Sequence, residues 1–273
     1  MNIILNETAW VEEKLTMCDL GKHPTETLGR MAKYYAAMGC STSEIRNRLE
    51  DFVLKSSRDR SIVKWSEVIG RAVRGASKYK LINIEGIPIT EAELAAIDVI
   101  GNEQKRTKQL RIFAFCLLCA AKYWNAVSEN NNGWVNCTDR EIFTMANIST
   151  SVKRQSEMYG TLMNMGMIKA SKRVDNLNVR VTFINDDSPV VYTVTDYRNL
   201  GYQYRRLCGD TEFYECMNCG IITRENQNKS SVGRKPKYCP ECANIISIKQ
   251  RVDCVMRARH GIKEKIETSN PAD

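Results

Sequence analysis

Two short cysteine pairs constrain this chain more than any other feature. Cys216 and Cys219 enclose Met-Asn, Cys239 and Cys242 enclose Pro-Glu, and 19 residues separate the pairs. Two residues between thiolates let each pair close a tight turn with both sulfurs facing one point. Two such turns make a tetrahedral four-sulfur site, the arrangement that zinc prefers. The spacing therefore predicts one structural Zn2+ on Cys216, Cys219, Cys239 and Cys242. Gly220 follows the first pair and can relax a turn beneath a metal. The chain has eleven cysteines, so a disulfide framework is the competing use. The N-terminal stretch MNIILNETAWVEEKL lacks a basic start and reaches Glu12 and Glu13 too early for a signal peptide. A chain that is not exported keeps thiols, which favours metal over disulfides.

The surroundings agree with a metal. Tyr214 stands two residues before Cys216, and Tyr238 directly precedes Cys239. Residues 212–246 resemble a zinc ribbon. A thioredoxin-type redox centre needs one such pair opening a helix in a βαβ unit; here both pairs lie in turn-rich sequence. The insert GIITRENQNKSSVGRKPKY starts as a strand and continues as a basic loop carrying Lys229, Arg234, Lys235 and Lys237. Those cations are either the ligand-touching tip of the ribbon or a solvated loop on a structural knob. Cys116 and Cys119 share the same short spacing but sit in FCLLC, inside an apolar helix, and read as core. Cys18, Cys40, Cys137, Cys208 and Cys254 are scattered singly.

The balance of charge, 40 Lys+Arg against 32 Asp+Glu for a net +8, suits a polyanion partner and equally a basic solvated surface. The middle of the chain bears on the choice. TKQLRIFAFCLLCAAKYWNA, 107–126, reads as a helix apolar nearly all round, hence a central one. Thr138 and Glu141 make a capping box for a short helix over 138–148. Asn147 breaks it, and a longer helix starts in Ser149-Thr150-Ser151, with Ser149 or Thr150 as the expected cap, and ends at Gly166. Val152, Tyr159, Leu162 and Met165 are expected on one face of that helix. MIKAS and VRVTFIN follow as strands around a turn with Asp175 and Asn176 at its tip. Trp134 and Val135 suit a short extended segment. Over 105–186 this order resembles a winged helix-turn-helix. That likeness implies that the longer helix enters a major groove, with Lys153, Arg154 and Gln155 at its start. Lys172, Arg173 and Arg180 would carry the wing to the adjacent backbone. Winged helices also serve as protein-binding modules, and Glu157 weakens the basic face.

The N-terminal third reads as a compact helical bundle. PTETLGRMAKYYAAMG ends at Gly39, and Ser41 and Glu44 cap the next helix. Ile45, Leu49, Phe52 and Val53 recur on one face, and so do Trp65, Ile69 and Val73 in a third helix. The pattern is similar to the helical domain at the C-terminus of plasmid and phage primases, and equally to a generic three-helix bundle. No primase carboxylate motif accompanies it. Ile87-Pro88-Ile89 should be extended, and Thr90 with Glu93 caps the helix after it.

No phosphate loop, dinucleotide fingerprint or HExxH motif occurs. The two histidines, His23 and His260, lack a nucleophile or metal partner, so nothing calls for an enzyme. The longest apolar run, IFAFCLLCAA, is ten residues and too short to span a bilayer. The tail carries Lys249, Arg251, Arg257, Arg259, Lys263 and Lys265 on a helix expected to fray after Gly261.

The expected fold is mainly α with small β elements (α+β). A helical bundle fills 1–100, a winged helix 101–207, and a four-cysteine zinc ribbon with a basic helical tail 208–273. The combination resembles replication and transcription-regulatory proteins of bacteriophages and mobile elements. That implies a non-enzymatic nucleic-acid-binding protein in the bacterial host cytoplasm. DNA is the first ligand and RNA the second, with a protein partner in a replication or transcription complex and no membrane. The alternative is an adaptor or inhibitor that docks on a host nucleic-acid machine.

Overall fold

Four helices come first in the computed structural model, which describes residues 3–57, 61–101, 105–171, 178–225 and 236–268. They are α1 (Glu7–Met17), α2 (Pro24–Ala37), α3 (Thr42–Ser56) and α4 (Ile62–Gly75). Leu28 and Met31, Leu49 and Phe52, Ile69 and Val73 meet in one core from α2, α3 and α4, with Val11 added by α1. The Ser41–Glu44 capping box is present, and Gly39 turns the chain between α2 and α3 at φ +82°. Helix α1 was not expected, because its sequence shows little amphipathic pattern. Its anchors are distant. The buried Glu7 carboxylate accepts from Arg30 Nε at 3.1 Å, Lys33 Nζ at 2.8 Å and the Ile82 amide at 3.0 Å.

A second core begins before the boundary placed near residue 100 from sequence. Strand β1 (Ile87–Thr90) and helix α5 (Glu91–Asp98) contribute Ile87, Ile89 and Ile97 to it. Helix α6 (Lys105–Val127) runs through its centre. Among the described residues this is the one helix long and apolar enough to cross a membrane, and 72% of its apolar window is buried inside the fold. Phe113, Phe115, Leu117 and Leu118 are fully covered by neighbouring elements. That includes Cys116 and Cys119, whose thiols burial pushes well above the ordinary range. They are core, as the sequence indicated.

Helices α7 (Asp139–Met145) and α8 (Val152–Asn164) follow, then β2 (Ile168–Ala170) and β3 (Val179–Val181). Phe113 of α6 stacks on Phe143 of α7 at 4.8 Å between ring centroids and meets Tyr159 of α8 edge-on at 4.9 Å. Three rings thus fix the three helices against one another. Strands β2 and β3 pair antiparallel with Lys169 opposite Arg180. Residues 133–135 add a third edge, the Val135 amide donating to Val179 O and the Val181 amide to Gly133 O, each at 2.9 Å. Gly133 is required there: φ is +82°, and a Cβ would come within 2.8 Å of Val181 O.

Strand β4 (Val190–Val194) pairs antiparallel with β1, Ile87 opposite Val194 and Ile89 opposite Tyr192. Helix α9 (Leu200–Leu207) then packs on α6, with Tyr204 against Phe115 at 4.8 Å. Neither β4 nor α9 was expected. The chain ends in a hairpin of β5 (Phe213–Glu215) and β6 (Ile222–Arg224), then α10 (Pro240–Thr268). Helix α10 passes through Gly261 without ending, contrary to the expected fraying. The whole is mainly α with small antiparallel sheets.

Candidate metal centre and nucleic-acid surface

The four expected cysteines converge. Their Sγ atoms all lie within 4.8 Å of one another, and Cys219 Sγ stands 3.8 Å from Cys239 Sγ. The two halves are built differently. The first pair closes the β5–β6 hairpin as a turn, with the Gly220 amide donating to Cys216 O at 2.9 Å and Gly220 at φ +69°. The second pair lies not in a turn but at the start of α10. Cys239 precedes the helix and Cys242 sits in its first turn, behind Pro240 at the first helical position. Proline suits that position because its missing N–H would be unsatisfied there anyway.

Donors point at the sulfurs. The Cys239 amide donates to Cys216 Sγ at 3.2 Å and Asn218 Nδ2 to Cys242 Sγ at 3.3 Å. Burial works against a thiolate on Cys216, but the amides of Cys239, Cys219 and Asn218 outweigh it and bring this thiol down to about 6. Burial pushes Cys219 up to about 12 and raises Cys239 as well. Four thiolates this close repel one another, so the set favours the charge of a cation. These four cysteines can hold a metal ion.

The cysteine module is tied to the α7–α8 turn. Asn147, in the turn between α7 and α8, donates through Nδ2 to Asn199 Oδ1 at 2.9 Å. Asn199 donates through its own Nδ2 to Ile222 O of β6 at 2.9 Å. Arg198 reaches Cys219 O at 2.8 Å. Tyr202 of α9 packs on Phe213 of β5 at 5.0 Å. Arginines around this joint face carboxylates: Arg205–Asp210 at 2.7 Å, Arg224–Glu212 at 3.0 Å and Arg206–Glu215 at 3.4 Å. Their charge is spent on the joint.

No protein-family model, curated protein or solved structure matches the chain.

The residues expected at a nucleic acid fare differently from one another. Lys153 is exposed in the first turn of α8. Arg154 is half-buried and bound to Glu157 at 3.0 Å, three residues along the same helix. Gln155 Nε2 reaches back to Thr150 O at 3.4 Å. The cap of α8 is Ser151, whose side chain accepts from the Arg154 amide, rather than Ser149 or Thr150. The buried face of α8 is Met158 and Leu162, with Tyr159 partly covered; Val152 is 76% exposed and Met165 faces solvent. Val152 and Lys153, at the start of the helix, are both exposed.

On β3, Arg180 is exposed and its Nε donates to Asn132 O at 2.7 Å. Lys169, opposite it on β2, is also exposed and was missed. Cross-strand pairing with Arg180 was the available signal. The two line an open cleft of about 320 Å³ with Asn125, Asn132 and Thr182. Lys237 is exposed beside the second cysteine pair, and its carbonyl accepts from the Met217 amide at 3.0 Å. Lys172, Arg173, Lys229, Arg234 and Lys235 lie outside the described residues.

Proposed function

We propose that this chain is a nucleic-acid-binding protein, with duplex DNA its first ligand, and that it carries no chemistry of its own. One observation supports this above the others: a capped helix, α8, begins with exposed Lys153 and is followed by a β2–β3 wing in which exposed Lys169 and Arg180 stand side by side. In this reading α8 enters a groove amino end first and the wing pair grips the adjacent phosphates. The metal is zinc. A tetrahedron with zinc–sulfur bonds of about 2.3 Å has sulfur–sulfur edges of about 3.8 Å, and the Cys219–Cys239 separation of 3.8 Å fits it. Cys216, Cys219, Cys239 and Cys242 would hold the ion as thiolates, and its part is structural. A replication or regulatory role in a phage or mobile element, in a bacterial cytoplasm, accords with this build.

A second reading has support of its own. Arg154 is neutralised by Glu157, and Val152 at the start of α8 is 76% exposed. An apolar tip beside a neutralised arginine suits a protein surface, as an adaptor or inhibitor on a nucleic-acid machine would need.

Salt separates the two. Binding to random duplex DNA, single-stranded DNA and RNA is followed by fluorescence anisotropy across a salt series. Counterion release makes DNA affinity fall steeply with salt. Lys153→Glu with Lys169→Glu lowers the slope of log affinity against log salt by about 2, one for each lost phosphate contact. An unchanged slope removes α8 and the wing from the interface, and no binding at low salt leaves the adaptor.

A further inference from the structure

The cleft beside β2 and β3 is rich in hydrogen-bond donors, and no Asp or Glu lines it. Lys169 and Arg180 stand directly opposite each other across the two strands. Like charges in that position weaken a strand pair. Lys169 has no ion pair or side-chain hydrogen bond among the described residues. Arg180 uses only its Nε, on Asn132 O at 2.7 Å, which leaves the two outer nitrogens of its fork free to donate. Asn125 of α6 supplies a further donor. The Gly133 N–H, which can only donate, meets Asn125 Oδ1 at 2.7 Å, so the oxygen of that amide is fixed there. Asn131 Nδ2 donates to the same oxygen at 3.0 Å. Asn131 is buried, and it is held in turn by Trp134 O at 2.7 Å and by Asn136 Nδ2 at 3.0 Å. Asn125 Nδ2 is left without a partner among the described residues, on a side chain that lines the cleft.

We propose that this cleft is a site for a phosphomonoester, the terminal phosphate of a nucleic-acid strand or of a free nucleotide. It rests on the reading above for Lys169 and Arg180 as phosphate ligands, and adds which phosphate they take. An internal phosphodiester or a carboxylate brings one negative charge and leaves one of the two cations unmatched. A phosphomonoester brings about 1.5 to 2 negative charges at pH 7 and three acceptor oxygens. Those suffice for Lys169, the Arg180 fork and the Asn125 amide together. The cleft is also larger than a phosphate needs. Its volume of about 320 Å³ lies at the small end of ligand clefts, and Val181 and Ile184 give it an apolar side for a sugar or base.

The test compares one duplex bearing terminal phosphates, at the 5′ and then the 3′ ends, with the same duplex ending in hydroxyls, by fluorescence anisotropy at fixed salt. A nucleoside 5′-monophosphate is titrated alone by calorimetry. Phosphate ends are expected to bind about tenfold more tightly, as one added set of charge-assisted hydrogen bonds gives. Lys169→Gln and Asn125→Asp are each expected to abolish that difference. Asn125→Asp keeps an oxygen for Gly133 and Asn131 and replaces only the donor. Lys169→Gln removes a cation that has no partner in the fold, so its thermal midpoint is expected to be unchanged or higher, and it decides alone if Asn125→Asp melts early. Binding of the monophosphate with all duplex forms equal upholds the site and assigns it a free nucleotide. The same binding with no duplex bound at all upholds the site while the nucleic-acid reading fails. Equal duplex forms without binding of the monophosphate overturn the proposal, even where the salt series upholds nucleic-acid binding. A preference for phosphate ends that survives Lys169→Gln overturns the cleft as their site.

Discussion

Asn147 and Asn199 hold the joint between the α7–α8 pair and the cysteine module with two side-chain hydrogen bonds of 2.9 Å each. Both residues are left-handed, at φ 56° and 54°. Among residues with a Cβ, asparagine tolerates that backbone best, because its short amide can hydrogen-bond locally. The same two residues thus turn the chain and connect the elements on either side. Gly201 completes the joint. A Cβ there would stand 1.9 Å from Ala146 O, so α9 meets the end of α7 with nothing between the backbones. Gly201→Ala must push α9 off α7, and overpacking of this kind costs about 3 kcal/mol. The midpoint of urea unfolding is expected to fall accordingly. An unchanged midpoint would mean that α9 does not rest on α7.

Short elements here depend on their ends. Helix α7 has seven residues, too few to persist alone. Thr138 Oγ1 accepts from the Glu141 amide at 3.3 Å, and Glu141 Oε2 accepts from the Thr138 amide at 2.8 Å. Thr138→Ala is expected to cost about 1 kcal/mol in denaturant unfolding; no loss would show that α7 is held by its packing on α6, α8 and α9 rather than by its cap. All three boxes, Ser41–Glu44, Thr90–Glu93 and Thr138–Glu141, were legible in the sequence because each is made by residues three apart. The cysteine cluster was legible for a similar reason, each half being a local turn or cap. What the sequence hid is held from far away. Helix α1 leans on Glu7, whose partners are Arg30, Lys33 and Ile82. Strand β4 exists through β1, about a hundred residues earlier, and its outer Val190 and Val191 break the expected alternation. The exposed start of α8 was hidden too, because periodicity assigns Val152 to a face without saying where the core stops.

Three kinds of cohesion hold the molecule. The α1–α4 core and the core around α6 are apolar clusters of many side chains. Buried charges sit in both: Glu7 with Arg30 and Lys33, and Glu93 with Lys122 at 2.8 Å. The C-terminal module has no comparable core among the described residues. Its buried cluster is Cys216, Cys239 and Cys242, with only Cys219 and Ile221 packed against it. Burial of that size cannot offset the ordering of two strands and a helix end, whereas a structural zinc site supplies roughly 10–16 kcal/mol of binding free energy. An ion on the four cysteines would therefore set the direction in which α10 leaves the body, and the Asn199 bonds would carry that direction from β6 to the turn before α8. Chelation is expected to strip hydrogen-exchange protection from β5, β6 and the first turn of α10, while α2 and α6 keep theirs. Protection in β5 and β6 that survives complete metal removal would show that the hairpin stands on its packing against α9 instead.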